Sequence, residues 1–310
     1  ILAACAAPAP TPTDDGPVDL GTMTASMYQQ ASSAPAALAV AEGYTDELGL
    51  DLRFEWGASS QAILTSVIGA SAQVGTVSVP SVVEAVREGF DIRIVGEAFR
   101  EVEGSQLLET LPDSGIESIA DLAGRTVGVV GLLSGHDTRL RYVMDLDGLD
   151  KDAPEFIHVP FGEMAMALET GLIDAGVFTG PTLLAAKGTM NTRTIFDFGA
   201  GPLAGYSAMQ WVMSGDFVDA NPEAVAAFQC AVVVRGAQTA TDDDALFEAA
   251  MIEGLGFSPE GFAAVVKPTY PAANDAKQMQ KVADIFHRVG VIDEPFDVAA
   301  ITVPLPADCG

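Results

Sequence analysis

From Val18 onward the chain alternates short apolar runs of strand length with longer stretches of helical period, which restricts it to a mainly parallel sheet covered by helices. Leu20–Thr24 predicts a first strand. Pro35–Leu48 predicts a helix with Leu38, Ala41 and Leu48 on one side, a proline in its first turn and Gly49 as its stop. Leu50–Trp56 follows as a second strand, Ser60–Gly69 as a helix capped by Ser59, and Val74–Val77 as a third strand. A helix from about Pro80 to Gly89 and a strand over Ile92–Gly96 complete a βαβαβαβ unit.

A second unit opens with the strand Thr126–Val130, a Gly/Ser loop and a helix over Thr138–Leu146. It continues with the strand Phe156–Val159, the helix Met164–Thr170, the strand Ala175–Phe178 and a helix opening at Pro181. Tyr206–Met213 predicts a further strand. Asn221 predicts the cap of a long helix with Pro222 at its first position, and Phe257–Val266 and Ala276–Gly290 predict the last helices.

A length of 310 residues accommodates two ordinary domains, and 49% hydrophobic residues describe a globular chain. No stretch stays apolar long enough to span a bilayer as a helix. The net charge of −28 repels phosphate backbones and anionic lipid surfaces, which argues against nucleic acid as a partner.

Leu2-Ala3-Ala4-Cys5 resembles the lipobox of a bacterial lipoprotein, and the Pro- and Ala-rich segment behind it predicts a flexible tether through residue 17. The resemblance implies that Cys5 carries lipid and holds the protein at the outer face of the bacterial cell membrane. The alternative is a processed N-terminus with an incidental cysteine. With Cys5 lipidated, Cys230 and Cys309 remain as one pair that an oxidising compartment permits to bridge; the alternative is two separate thiols.

Several segments, in order, resemble one family. They are Ala39-Val40-Ala41-Glu42-Gly43-Tyr44, Glu47-Leu48-Gly49-Leu50-Asp51-Leu52 and Gly89-Phe90-Asp91-Ile92-Arg93-Ile94-Val95-Gly96. Ile119-Ala120-Asp121-Leu122-Ala123-Gly124-Arg125-Thr126-Val127-Gly128-Val129 follows, then Ala167-Leu168-Glu169-Thr170-Gly171-Leu172-Ile173-Asp174-Ala175 and Asn221-Pro222-Glu223. Their order and spacing resemble the nitrate/sulfonate/taurine and thiamine-precursor group of ABC-transporter substrate-binding proteins, with the type II periplasmic-binding-protein fold. The resemblance implies two Rossmann-like α/β lobes with mainly parallel central sheets, joined by two hinge crossovers, with a ligand cleft between them. Residues 18–104 with 210–310 would form lobe I and residues 105–209 lobe II. The implied partners are a small-molecule ligand and an ABC permease with its ATPase, for a monomeric receptor that closes about the crossovers near Gly104–Leu108 and Gly205–Trp211. Two departures separate the chain from the family pattern: Gln73 and Gly180 stand where acidic residues are frequent.

Ligands of open α/β sheets lie beyond the carboxyl ends of the strands. That rule selects Tyr28, Gln29, Trp56, Ser59, Ser60, Ser78, Glu97 and Phe99 from the first unit. From the second it selects Ser134, His136, Asp137, Phe161, Glu163, Phe178 and Thr179, with Tyr206 at the hinge. Six of these are aromatic in a chain with 7% aromatic residues, so a planar aromatic or heteroaromatic ligand, neutral or weakly charged, is expected. For each ring alone, core packing is the alternative. Arg100 and Arg139 are the nearest cations and neither reads as inward, which weighs against the sulfonate- or nitrate-type anion binder that is the alternative ligand class.

The sequence carries no cofactor fingerprint and no metal spacing around its three histidines. Gly131-Leu132-Leu133-Ser134-Gly135 misses the nucleophile elbow, and Ser134 beside His136 is a poor nucleophile–base pair because loop neighbours rarely share that geometry. The cysteine-rich motif of the related pyrimidine-synthesising enzymes is missing. A binding protein is therefore expected rather than an enzyme, with a ligand-sensing or scavenging lipoprotein as the alternative to transport.

Overall fold

The computed structural model describes residues 18–133 and 135–309. Two five-stranded sheets form its frame. The strands are β1 (Gly21–Met27), β2 (Leu50–Trp56), β3 (Val74–Val77), β4 (Ile92–Arg100), β5 (Gln106–Thr110), β6 (Thr126–Val129), β7 (Glu155–His158), β8 (Ala175–Thr179), β9 (Arg193–Asp197) and β10 (Ser207–Ser214). The first sheet has the order β2-β1-β3-β10-β4 and the second β7-β6-β8-β5-β9.

Each sheet contains one strand that runs against the other four: β10 is antiparallel to β3 and β4, and β5 is antiparallel to β8 and β9. These are the two strands that enter a sheet directly from the other lobe. The chain leaves β4 through residues 101–105 into β5, and returns from β9 through residues 198–206 into β10. The sheets are thus mixed, although four of five strands in each share one direction. β10 begins at Ser207, ahead of the expected return to lobe I at residue 210.

Local sequence accounts for most element boundaries. Leu50–Trp56 and Val74–Val77 form strands with the expected limits. Ser59 caps the helix Ser60–Ile68, its hydroxyl accepting the Ala62 amide at 3.1 Å. The expected helix Pro35–Leu48 is instead two pieces, Ala34–Ala41 and Tyr44–Glu47, because Gly43 takes the left-handed conformation (φ 73°) between them. Asn221 precedes the helix Pro222–Phe228 without capping it; its amide donates back to the Phe217 carbonyl at 3.1 Å.

The helix Ala276–Arg288 ties the lobes together. Its buried residues Met279, Val282, Ala283, Ile285 and Phe286 share one apolar core with Val77 and Ile94 of the first sheet and with Val127, Val129, Leu140 and Val143 of the second lobe. At its end, Arg288 Nε donates to Asp145 Oδ2 at 2.8 Å. Residues after Ile301 run along β4, with the Val303 amide on the Ile94 carbonyl at 2.8 Å. Cys230 and Cys309 form a disulfide that secures this tail.

Candidate functional site

The carboxyl ends of both sheets face a cleft of about 430 Å³, a volume ordinary for a small-molecule site. Tyr28 follows β1, Ser59 and Ser60 follow β2, Ser78 follows β3 and Phe99 lies near the end of β4. Opposite them stand Gly131 and His136 after β6 and Phe161 after β7, with Glu101, Gln106 and Tyr206 at the crossovers.

The hydroxyl groups of this wall are largely engaged with one another. Tyr28 Oη and Ser60 Oγ are 3.1 Å apart, and the Ser78 and Ser81 hydroxyls 3.0 Å. Burial holds the Tyr28 phenol above its ordinary range, partly offset by the Ser60 hydrogen bond.

Arg139 organises the opposite side. It sits one helical turn after His136 in the helix His136–Leu146, so both side chains project from one face toward the crossovers. Its guanidinium lies 4.9 Å from the Phe198 ring centre and 4.7 Å from that of Tyr206. Arg139 Nη2 donates to Gln106 Oε1 at 3.0 Å and Nε to the Gly135 carbonyl at 3.3 Å. Nη1 faces Glu101 Oε1 at 3.6 Å, an ion-pair distance beyond a hydrogen bond, and this buried nitrogen has no hydrogen-bond partner.

Burial sets the charge state of the neighbours. Desolvation holds the Glu101 carboxyl above its usual range, against the opposing pull of Arg139 and of the Ser105 hydroxyl, which donates at 2.8 Å. It pushes the Tyr206 phenol up to about 12. It holds His136 well below the ordinary histidine range, with Arg139 adding to the effect, so the imidazole is neutral. His136 Nε2 and Gln106 Oε1 are 2.7 Å apart, which makes Nε2 the protonated nitrogen when the amide oxygen accepts. The site therefore offers a compensated cation, neutral donors and apolar rings. Among the described residues no group of three or more His, Cys, Asp or Glu side chains is arranged to hold a metal ion. Among the same residues no helix is long and apolar enough to cross a membrane.

The NMT1/THI5-like family model matches residues 30–245, more than half of the chain. The chain belongs to this family. Solved structures share its fold. The alkanesulfonate-binding protein SsuA of Xanthomonas axonopodis pv. citri, bound to MOPS, aligns over 91% of this chain and 98% of its own at 15% identity, with a TM-score of 0.72. The periplasmic nitrate-binding protein NrtA of Synechocystis PCC 6803 covers 90% of this chain and 84% of its own at 16% identity, with a TM-score of 0.70. The zinc-bound ligand-binding component of an ABC-type import system from Staphylococcus aureus covers 91% and 96% at 11% identity, with a TM-score of 0.76. At such identities the likeness is one of fold, and it is the periplasmic-binding-protein architecture. No curated protein matches the sequence.

In this NMT1/THI5-like chain the cleft brings together Tyr28, Ser59, Ser60, Ser78, Phe99, His136, Phe161 and Tyr206 of the residues selected by sequence. Thr179 lines an adjoining pocket, its hydroxyl donating to the Ser105 carbonyl at 2.8 Å. The others stand elsewhere. Trp56 ends the edge strand β2, where cover runs out, and is 44% exposed beside Phe54. Phe178 is fully buried because β8 is central and covered by the helix Phe161–Glu169, packing with Val159, Met164 and Leu168. Glu97 is buried against Arg100, which donates to both carboxylate oxygens at 2.8 and 2.7 Å. Asp137 accepts the Leu133 amide at 2.6 Å, Glu163 lies exposed in the first turn of its helix, and the Gln29 amide donates to the Leu255 carbonyl at 2.7 Å. Ser134 and Cys5 lie outside the described residues.

Sequence reasoning missed Glu101, Gln106 and above all Arg139. The expectation that Arg139 does not face inward is corrected: it is 3% exposed and forms part of the cleft wall. The available signal was its spacing from His136. Placing the helix start at Thr138 hid that relationship, whereas the helix begins at His136.

Proposed function

We propose that the protein is the extracytoplasmic solute-binding receptor of an ABC importer, capturing a small aromatic or heteroaromatic molecule and passing it to a permease with its ATPase. Family membership and the two-lobed fold support the receptor class. The composition of the cleft supports the ligand class. Tyr28, Phe99, Phe161 and Tyr206 line it, and its only buried cation among the described lining residues, Arg139, already faces Glu101. Flat rings add about 0.5–1.5 kcal/mol per good stacking pair beyond area burial. A neutral or weakly charged ligand leaves the Arg139–Glu101 balance intact.

Closure follows from the connectivity. The lobes rotate about residues 101–105 and 198–206, and the ligand is held between the strand ends until the permease opens them. A lipid on Cys5 would keep the receptor close to that permease, raising local concentration without a permanent contact.

A second reading is favoured by one observation. Arg139 Nη1 is buried without a hydrogen-bond partner, which suits an acidic oxygen of the ligand. Calorimetric titration with benzamide and pyrimidines against methanesulfonate and nitrate separates the readings. Binding of the ring compounds supports the first; binding of methanesulfonate or nitrate alone overturns it in favour of the second.

A further inference from the structure

We infer that the ligand carries an apolar arm, seated in a side pocket of about 180 Å³ that adjoins the cleft behind Phe99 and Glu101. This rests on the aromatic-receptor reading and names a second part of the same ligand. Gln30, Phe99, Glu101 and Gln106 line both spaces, so the two meet at a common wall. Beyond that wall the lining turns apolar, with Phe257, Val265, Val266 and Pro268 on one side and Pro181 on the other.

Three observations set this pocket apart from a packing defect. The space is open to solvent at a rim formed by Pro181 and Val266, and its volume matches that of a cavity that accepts benzene. The wall includes Ser32, a residue 2% exposed whose hydroxyl has no hydrogen-bond partner. Such an orphan calls for an explanation, and one weakly polar atom in the arm supplies it. The pocket also joins the lobes. Thr179, Gly180 and Pro181 come from the second sheet and its following helix, whereas residues 257–268 belong with the first.

Gly180 has φ 45°, and a side chain there would come within 3.8 Å of the Ala264 carbonyl oxygen. The two lobes are therefore already close at this point, and an arm between them adds contacts that exist only when they are together. Such contacts favour the closed form by differential affinity. The ligand class is an aromatic ring with a polar head at Arg139 and Gln106 and an apolar arm of about three to six non-hydrogen atoms.

The test is calorimetry with benzamide, benzoate and benzenesulfonate, each compared with its 4-propyl derivative, on the full chain. The quantity read is the ratio of the two dissociation constants for a given head group. Complete burial of three carbons corresponds to roughly 50-fold, and partial burial to about 10-fold or more. Val266 is 42% exposed, so Val266→Trp, which fills the pocket, and Val266→Arg, which makes its rim polar, should both fold. The expected ratio is at least about 10 in the wild type and falls toward one in both variants. Head groups that bind with no gain from the arm overturn the side pocket and leave the receptor reading standing. A gain that survives both substitutions places the arm elsewhere and also overturns it. Failure of every compound to bind overturns the aromatic reading and the side pocket together.

Discussion

Glu101 and Arg139 face each other at 3.6 Å, the first on the crossover out of β4 and the second on a helix of the other lobe, each nearly excluded from water. The pair joins the crossover between the lobes to the cleft wall. Desolvation raises the energy of both charges, and their attraction repays it only in part at this distance.

Glu101→Gln should change the pH dependence of stability in a defined direction. The folded-state carboxyl is held above its reference value of 4.5, so its contribution is fully present below that value and is lost as pH rises through the folded-state value. The variant lacks this loss. Its stability relative to wild type should improve as pH is raised from 4.5, with a slope of at most about 1.4 kcal/mol per pH unit. Urea denaturation at a series of pH values checks it; a pH-independent difference rejects it.

Arg139→Met leaves Glu101 buried without its cation. Removing one partner of a buried pair costs on the order of 3–5 kcal/mol where the other stays charged. The cost should be largest near pH 8 and smaller near pH 5, because protonation of Glu101 relieves it. The double variant Arg139→Met with Glu101→Gln should recover much of the loss at pH 8. Denaturation midpoints of the four proteins give the coupling, and simple additivity would show that the two side chains act independently.

The frame of the fold was legible because local chemistry decides it. β2 is an alternating run between Gly49 and Gly57 and β3 a short, fully buried run closed by Ser78, and both have the limits expected from sequence. β9 was not, since Arg193–Asp197 forms an edge strand with its first residues exposed, leaving a weak pattern in a polar stretch. The cleft was legible at strand ends such as Tyr28, Ser60 and Phe161, where position along a strand suffices. Trp56 ends β2 and Phe178 lies one residue before the end of β8, so both occupy strand ends just as well. What removes them from the wall is the surroundings of each side chain: Trp56 stands exposed on the edge strand β2, and Phe178 of the central strand β8 packs into a core with Val159, Met164 and Leu168. Sheet order is set by long-range pairing, and no local pattern encodes it. The same holds for Gln106, which earns its place by meeting two side chains from one distant helix.

His136→Gln should remove a second, oppositely directed pH effect. Burial holds the folded-state imidazole well below its reference value of 6.5, so its contribution is present above that pH and is lost as pH falls below it. Wild type should weaken relative to the variant from about pH 6.5 downward, with a slope of up to about 1.4 kcal/mol per pH unit. Ligand affinity between about pH 6.5 and 8 should show no step from His136, which stays neutral throughout. Thermal unfolding and titration calorimetry across this range measure both; a step in affinity near pH 6.5 that vanishes in His136→Gln would contradict the buried neutral ring.

Reduction of the Cys230–Cys309 disulfide should lower stability without dissolving the fold. The bridge closes a loop with a sequence separation of 79 residues. The chain-entropy model assigns such a loop on the order of 4 kcal/mol, and engineered or strained bridges commonly deliver less. The tail has independent anchors: the Val303 amide on the Ile94 carbonyl at 2.8 Å, and the Asn274 amide on the Val303 carbonyl at 2.8 Å. The cleft wall lies away from this tail, so ligand affinity should survive while the denaturation midpoint falls. Cys309→Ser should reproduce the effect of reductant on wild type and show no further response to it. Denaturation curves with and without reductant test this, and equal midpoints for the two wild-type samples would remove the bridge from the energetics of the fold.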